Sequence, residues 1–236
     1  GSIDAQNAMG TASIGGKDSM SGTFEELNVP HTLVSFAVTH DEVENVTSGS
    51  FKKAGSNVYL VTVPYSEELA PDFDAFTKNT NVLYNLNASG KIAAMYPVCA
   101  GGIAEAVTKM AMGNKVGVTI SNVPYSATTA GFRKDGRYSV KDLFTAQYGA
   151  IIVEANDGFE TADFVDGTIV KIGETNNSTD IKVEADNVPG MKISIADAEK
   201  AWESKLAKVF PPVSGAELQP ELPAFAKETH KSLSEV

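Results

Sequence analysis

The apolar residues between positions 57 and 120 alternate between strand-like and helix-like patterns, and this alternation constrains the fold more than any other feature. Runs of β-branched and other apolar residues predict buried strands, and the longer segments between them have the spacing of amphipathic helices. The predicted strands are 57–63, 93–99, 115–120, 148–155, 168–172 and 179–184, and the predicted helices are 67–86, 102–112 and 196–210. A strand–helix–strand order is typical of layered α/β structures. In the last helix, the apolar side is predicted to carry Trp202, Leu206 and Val209.

A glycine-rich stretch near the amino terminus has the composition of a site for phosphate and Mg²⁺. It contains Gly15, Gly16, Lys17, Asp18 and Ser19. Glycines let backbone N–H groups approach phosphate oxygens, lysine supplies a positive charge, a hydroxyl donates to phosphate, and a carboxylate is a hard ligand for Mg²⁺. The stretch is not a Walker A loop, which requires Gly-x-x-x-x-Gly-Lys-Ser/Thr. The same composition is typical of a solvated turn, so the residues alone leave both interpretations open.

A second candidate site is the junction between the strand 93–99 and the helix 102–112. Gly101 and Gly102 stand where the helix begins, and the free N–H groups and the helix dipole favour an anion there. A tight turn without a ligand is the alternative, because glycine is common in turns. A cationic loop further along the chain is either solvated or attracts phosphate, and its residues are Arg133, Lys134 and Arg137.

The motif around the first glycines resembles a known family. GGKDSMSGTFEE (15–26), followed by VPHTLVSFAV (29–38), is similar to formylglycinamide ribonucleotide amidotransferase, also called phosphoribosylformylglycinamidine synthase. Four later blocks agree with this family in order: FKKAGSNVYL (51–60), AGGIAEAVTKMAMGNK (100–115), LFTAQYGA (143–150) and IADAEKAW (195–202). The resemblance covers about residues 1–210, and the GKDSMS block is its specific part. The other blocks recur across the superfamily of aminoimidazole ribonucleotide synthetase.

The resemblance implies a fold class and a domain organisation. We expect an α+β protein, a layered α/β sandwich that resembles the carboxy-terminal domain of aminoimidazole ribonucleotide synthetase, with a mixed sheet and flanking helices. Residues 1–45 would be the remnant of a preceding ATP-binding-type subdomain, 46–210 a carboxy-terminal synthetase-type domain, and 211–236 a linker toward a missing glutaminase domain. The strand 32–39 would then have an open edge, so self-association of the fragment is expected.

The resemblance also implies an activity, the ATP- and glutamine-dependent conversion of formylglycinamide ribonucleotide to formylglycinamidine ribonucleotide. The parent enzyme would include the remaining synthetase and glutaminase domains, and the isolated chain is expected to be inactive because its catalytic residues lie outside. A non-catalytic nucleotide-binding or structural module is the first alternative. An enzyme like aminoimidazole ribonucleotide synthetase is the second.

The family's ligand contacts transfer to this chain by position. The residues expected to contact ATP or substrate phosphate are Gly15, Gly16, Lys17, Ser19, Gly101 and Gly102, and Asp18 is the expected ligand of Mg²⁺. The chain departs from its relatives at Lys17, where smaller members have asparagine, and at Ala146, where relatives often have glutamate. Gln147 is retained as a polar contact.

Charge and composition argue against several other classes. The net charge of −11 disfavours nucleic acid, whose phosphates are held by clustered Lys and Arg. No apolar run approaches the roughly 20 residues of a membrane span, and no signal segment is visible, so a cytoplasmic protein without membrane contact is expected. The one cysteine, Cys99, cannot form an internal disulfide, which fits a reducing compartment. Its apolar surroundings predict a small buried hydrophobic residue.

Overall fold

The computed structural model describes residues 1–19, 22–66, 70–124, 140–186 and 188–210. The amino-terminal part contains one helix and four short strands: α1 (Ser2–Met9), β1 (Gly15–Ser19), β2 (Gly22–Phe24), β3 (Leu27–Val29) and β4 (Thr32–Phe36). β1 pairs antiparallel with β4, and β2 pairs with β3, so each pair is a separate two-stranded sheet. The residues of β4 are all exposed, as expected for a segment that does not bury a core of its own.

A seven-stranded sheet forms the centre of the protein. Its strands are β5 (Asn57–Val61), β6 (Ile92–Pro97), β7 (Gly117–Ile120), β8 (Ile151–Ala155), β9 (Ile169–Asn176), β10 (Asp180–Val183) and β11 (Met191–Ser194). Their spatial order is β11-β10-β7-β9-β5-β8-β6. β10 and β7 are parallel, and the other neighbours are antiparallel. The sheet is therefore mixed, as the resemblance implied.

Helices cover both faces of this sheet. They are α2 (Phe73–Ala88) and α3 (Gly102–Asn114), and a third helix, α4 (Ile195–Ser204), follows β11. Successive side chains of a strand point to opposite faces, and β5 divides accordingly. Val58 and Leu60 pack in one cluster with the apolar side of α3, whereas Val61 packs in a second cluster with Leu83 of α2. This arrangement confirms the α+β class with a layered core and flanking helices.

The boundaries of several elements differ from the sequence-based prediction. α2 begins at Phe73 rather than 67, because Asp72 caps it by accepting a hydrogen bond from the N–H of Ala75 at 2.9 Å. Residues 67–69 lie outside the described part. β11 was not predicted, and β9 continues four residues beyond the predicted strand 168–172. Short 3₁₀ helices lie at Val43–Asn45 and Val140–Phe144.

The carboxy-terminal helix ends earlier than predicted, at Ser204. Its predicted apolar side is also wrong, because Trp202, Leu206 and Val209 are 64%, 62% and 70% exposed. By its contacts the chain divides after Ala198, and the described part of the second unit is Glu199 to Phe210. The expected bounds at residues 45 and 210 remain a prediction. In the described ranges, no helix combines the length and the apolar character needed to cross a membrane.

Candidate functional site

The junction between β6 and α3 is the strongest candidate site. β6 ends at Pro97, and α3 begins at Gly102, whose N–H donates to the carbonyl of Cys99 at 3.1 Å. Gly102 has a φ of +70°, a conformation that residues with a Cβ adopt only at a cost. The sequence therefore has glycine here because the chain turns sharply from the strand into the helix.

Gly102 also packs directly on a second segment. A Cβ at Gly102 would lie 2.5 Å from the carbonyl oxygen of Leu143 and 2.7 Å from that of Thr145. These distances are shorter than any van der Waals contact allows, so only glycine permits this approach. The blocks 100–115 and 143–150, which lie far apart in the sequence, thus meet at the amino terminus of α3.

A carboxylate already occupies one N–H group at this terminus. The N–H of Gly101 donates to Oε2 of Glu105 at 2.7 Å, and Nζ of Lys109 donates to Oε1 of the same carboxylate at 2.6 Å. The hydrogen bond from Lys109, followed by that from Gly101, lowers the pKa of Glu105. The same interaction raises the pKa of Lys109. Both side chains are 32% exposed, so the pair lies at the surface.

Gln147, in the block 143–150, and Cys99, in the loop before α3, have unusual environments. Gln147 is 3% exposed, yet neither its Oε1 nor its Nε2 has a hydrogen-bond partner in the part of the chain that the structure describes. A buried amide without partners costs free energy, so Gln147 is an unusual residue at this depth. Cys99 is exposed, so its predicted burial is wrong. β6 ends two residues earlier, and Cys99 therefore lies in the loop rather than in the sheet.

The glycine-rich stretch near the amino terminus is a strand rather than a loop. Residues Gly15–Ser19 form β1, and Gly16 lies opposite Ser35 of β4. A Cβ at Gly16 would lie 2.8 Å from the carbonyl oxygen of Val34, so this glycine permits close pairing of the strands. Because side chains alternate along a strand, Lys17 and Ser19 share one face while Asp18 points to the other. The predicted phosphate and metal ligands therefore do not converge on one point.

The residues present do not complete a Mg²⁺ site around Asp18. Asp18 is exposed, and the described ranges contain no group of three or more His, Cys, Asp or Glu that could hold a metal ion. Mg²⁺ prefers six oxygen ligands, often including substrate phosphates and waters. One carboxylate on an exposed strand does not meet this demand.

The structure does not connect the two groups of predicted ligands. Among the described residues, no hydrogen bond, ion pair or strand pairing joins Gly15–Ser19 to Gly101 or Gly102. The cationic residues Arg133, Lys134 and Arg137 lie outside the described part. Glu105 was missed by the sequence analysis, although a glutamate in the first turns of a helix is the signal of a capping residue.

Comparison with known proteins shows which solved structures share the fold of this chain. No family model matches the sequence. Solved structures match it over most of its length as a layered α+β module. The matched structures include phosphoribosylformylglycinamidine synthase II from Thermotoga maritima, which is 12% identical to this chain with a TM-score of 0.52. The match covers 81% of this chain and 31% of that protein.

Two ligand complexes of the same Thermotoga maritima protein match similarly. The complex with FGAR is 11% identical with a TM-score of 0.54, and the match covers 82% of this chain and 33% of that one. The complex with ADP is 12% identical with a TM-score of 0.52, and it covers 82% and 31%. The chain thus spans about a third of these neighbours. The protein is similar in fold to part of phosphoribosylformylglycinamidine synthase II.

Proposed function

We propose that this chain is a module of an ATP-dependent carbon–nitrogen ligase of purine biosynthesis, and that Gly101 and Gly102 receive the phosphate of its ribonucleotide substrate. The observation that carries the proposal is the β6–α3 junction, where Gly101 at the N-cap and Gly102 at the first helical position start α3 without side chains and Gly102 packs on the 143–145 segment. Backbone N–H groups and the helix dipole bind anions at such a position. A fold neighbour that was crystallised with FGAR supports the same ligand class.

In the proposed reaction, ATP phosphorylates the amide oxygen of formylglycinamide ribonucleotide, and glutamine-derived ammonia displaces the phosphate. Phosphorylation makes this oxygen a leaving group, and backbone N–H groups stabilise charge on the transferred phosphoryl group. Fold neighbours crystallised with ATP and ADP support nucleotide use. Mg²⁺ would supply charge neutralisation on the ATP phosphates, and Asp18 by itself does not hold it. The module would work together with the remaining synthetase and glutaminase domains of its parent.

A second candidate function is a non-catalytic nucleotide-binding or structural module. The observation that favours it is the arrangement of β1, where Lys17 and Asp18 point to opposite faces of an exposed strand. A catalytic phosphate cluster needs these groups to converge, and in this conformation they do not. Under this alternative, phosphate ligands would bind without turnover even in the parent protein.

The single cysteine provides a test of the proposed phosphate position. Cys99 is exposed and lies two residues before Gly101, so a ligand phosphate at Gly101 and Gly102 should shield its thiol. We expect formylglycinamide ribonucleotide to slow alkylation of Cys99 by iodoacetamide at least fivefold at saturation. The matched control is formylglycinamide riboside, which lacks the phosphate and should leave the rate unchanged. Equal alkylation rates with and without the ribonucleotide would overturn the assignment.

A further inference from the structure

Glu105 holds the position that the proposed phosphate would take. The geometry points to Glu105 as an internal anion that gates this site, so that a phosphate binds by displacing its carboxylate from the N–H of Gly101. This inference rests on the proposed function, because it concerns the same two glycines. It adds a specificity-determining residue that neither the sequence motifs nor the fold assigns.

The contact between Glu105 and Gly101 is close. Besides the 2.7 Å hydrogen bond, a Cβ at Gly101 would lie only 2.6 Å from both Cβ and Oε2 of Glu105. Glycine at this position therefore makes room for the carboxylate. A phosphate oxygen that accepts from the Gly101 N–H would occupy the same space, and the two anions cannot share it.

Lys109 provides a place for the displaced carboxylate. Its ammonium binds Oε1, whereas Gly101 binds Oε2, so the two contacts use different oxygens. Rotation of the glutamate away from Gly101 breaks one hydrogen bond and keeps the other. The side chains of Glu105 and Lys109 are each about one-third exposed, which leaves room for this motion at the surface. Lys109 would then also neutralise the displaced carboxylate of Glu105, whose negative charge repels the incoming phosphate.

A purely structural cap gives a different expectation. If Glu105 only closed the first turn of α3, its replacement would weaken the helix terminus and leave anion affinity equal or lower. If Glu105 gates the site, its replacement should raise the anion affinity, since removal of a negative charge beside the site favours binding of a second anion. Two like charges about 4 Å apart in water repel by roughly 1 kcal/mol, which corresponds to about a fivefold change in affinity.

The test is titration of the whole chain with inorganic phosphate, followed by calorimetry and by the alkylation rate of Cys99. We expect Glu105→Gln to raise phosphate affinity about fivefold, because glutamine keeps a hydrogen-bond acceptor and loses the charge. Lys109→Met should lower the affinity by a similar factor, because the carboxylate then stays unneutralised. Glu174→Gln is the matched control, since Glu174 also pairs with a lysine, Lys171, but lies on β9. It should leave phosphate affinity unchanged.

The possible outcomes distinguish the gating role of Glu105 from the existence of the phosphate site at Gly101 and Gly102. Equal phosphate affinity in Glu105→Gln and the wild type, with protection of Cys99 in both, would overturn the gate and leave the phosphate site standing. An absence of phosphate binding in every variant would overturn both. A rise of the same size in Glu174→Gln would show a general effect of net charge, and it would also overturn the gate.

Discussion

Replacing Gly102 with alanine is expected to lower the free energy of unfolding by about 3 kcal/mol. The left-handed conformation of Gly102 costs a residue with a Cβ about 1–2 kcal/mol. The new methyl group would also lie 2.5–2.8 Å from backbone atoms of residues 143–145, which cannot move without shifting the 3₁₀ segment. Overpacking of this kind costs about 1–3 kcal/mol. The measurement is chemical denaturation of the two proteins under identical conditions.

Gly167 provides a matched control for this substitution. It has nearly the same φ, +72°, but a Cβ there would meet no atom within 4 Å. Gly167→Ala should therefore lose only the conformational part, about 1 kcal/mol. Equal losses at the two glycines would contradict the close packing between α3 and residues 143–145.

Replacing Glu154 with alanine is expected to destabilise the protein by about 3 kcal/mol. Glu154 lies on β8 and is 0% exposed, and its carboxylate accepts hydrogen bonds from the N–H groups of Lys52 at 2.7 Å and Lys53 at 3.3 Å. The substitution removes both charge-assisted bonds and leaves a cavity at a fully buried position. The loss is measured by denaturant unfolding.

Two further variants make this result interpretable. Glu154→Gln keeps the volume and one acceptor, so we expect about half the loss of the alanine variant. Glu160→Ala removes an exposed carboxylate and should change stability by no more than about 0.5 kcal/mol. If Glu154→Ala behaved like Glu160→Ala, the buried carboxylate would have no role in fixing the backbone of Lys52 and Lys53.

The elements that the sequence predicted correctly are those with a strong local pattern. Clear periodicity marks β5, β6, α3 and β7 in the sequence. The two faces of the sheet then pack in two separate clusters, one that contains Leu60 and one that contains Leu83 of α2. β1 was interpreted as a loop because glycine, lysine and aspartate disfavour strands. Its strand conformation comes from pairing with β4, a partner that a local window of sequence does not reveal.

The candidate site was predictable only in part, for the same reason. The glycines at 101 and 102 mark a strand-to-helix junction in any such pattern. The approach of residues 143–145 depends on a contact across some forty residues of chain, and the order of the seven strands is likewise non-local. The exposure of Cys99 follows from where β6 ends, a boundary that apolar composition does not fix.

The most direct measurement of the central claim is the chemical shift of backbone amides during titration of the ¹⁵N-labelled chain with formylglycinamide ribonucleotide. The account predicts saturable shifts at the amides of Gly101 and Gly102. The amide of Gly167 serves as an internal reference, since it lies in the turn before β9 and should not move. Shifts that leave both Gly101 and Gly102 unchanged at saturating ribonucleotide would contradict the proposed phosphate site.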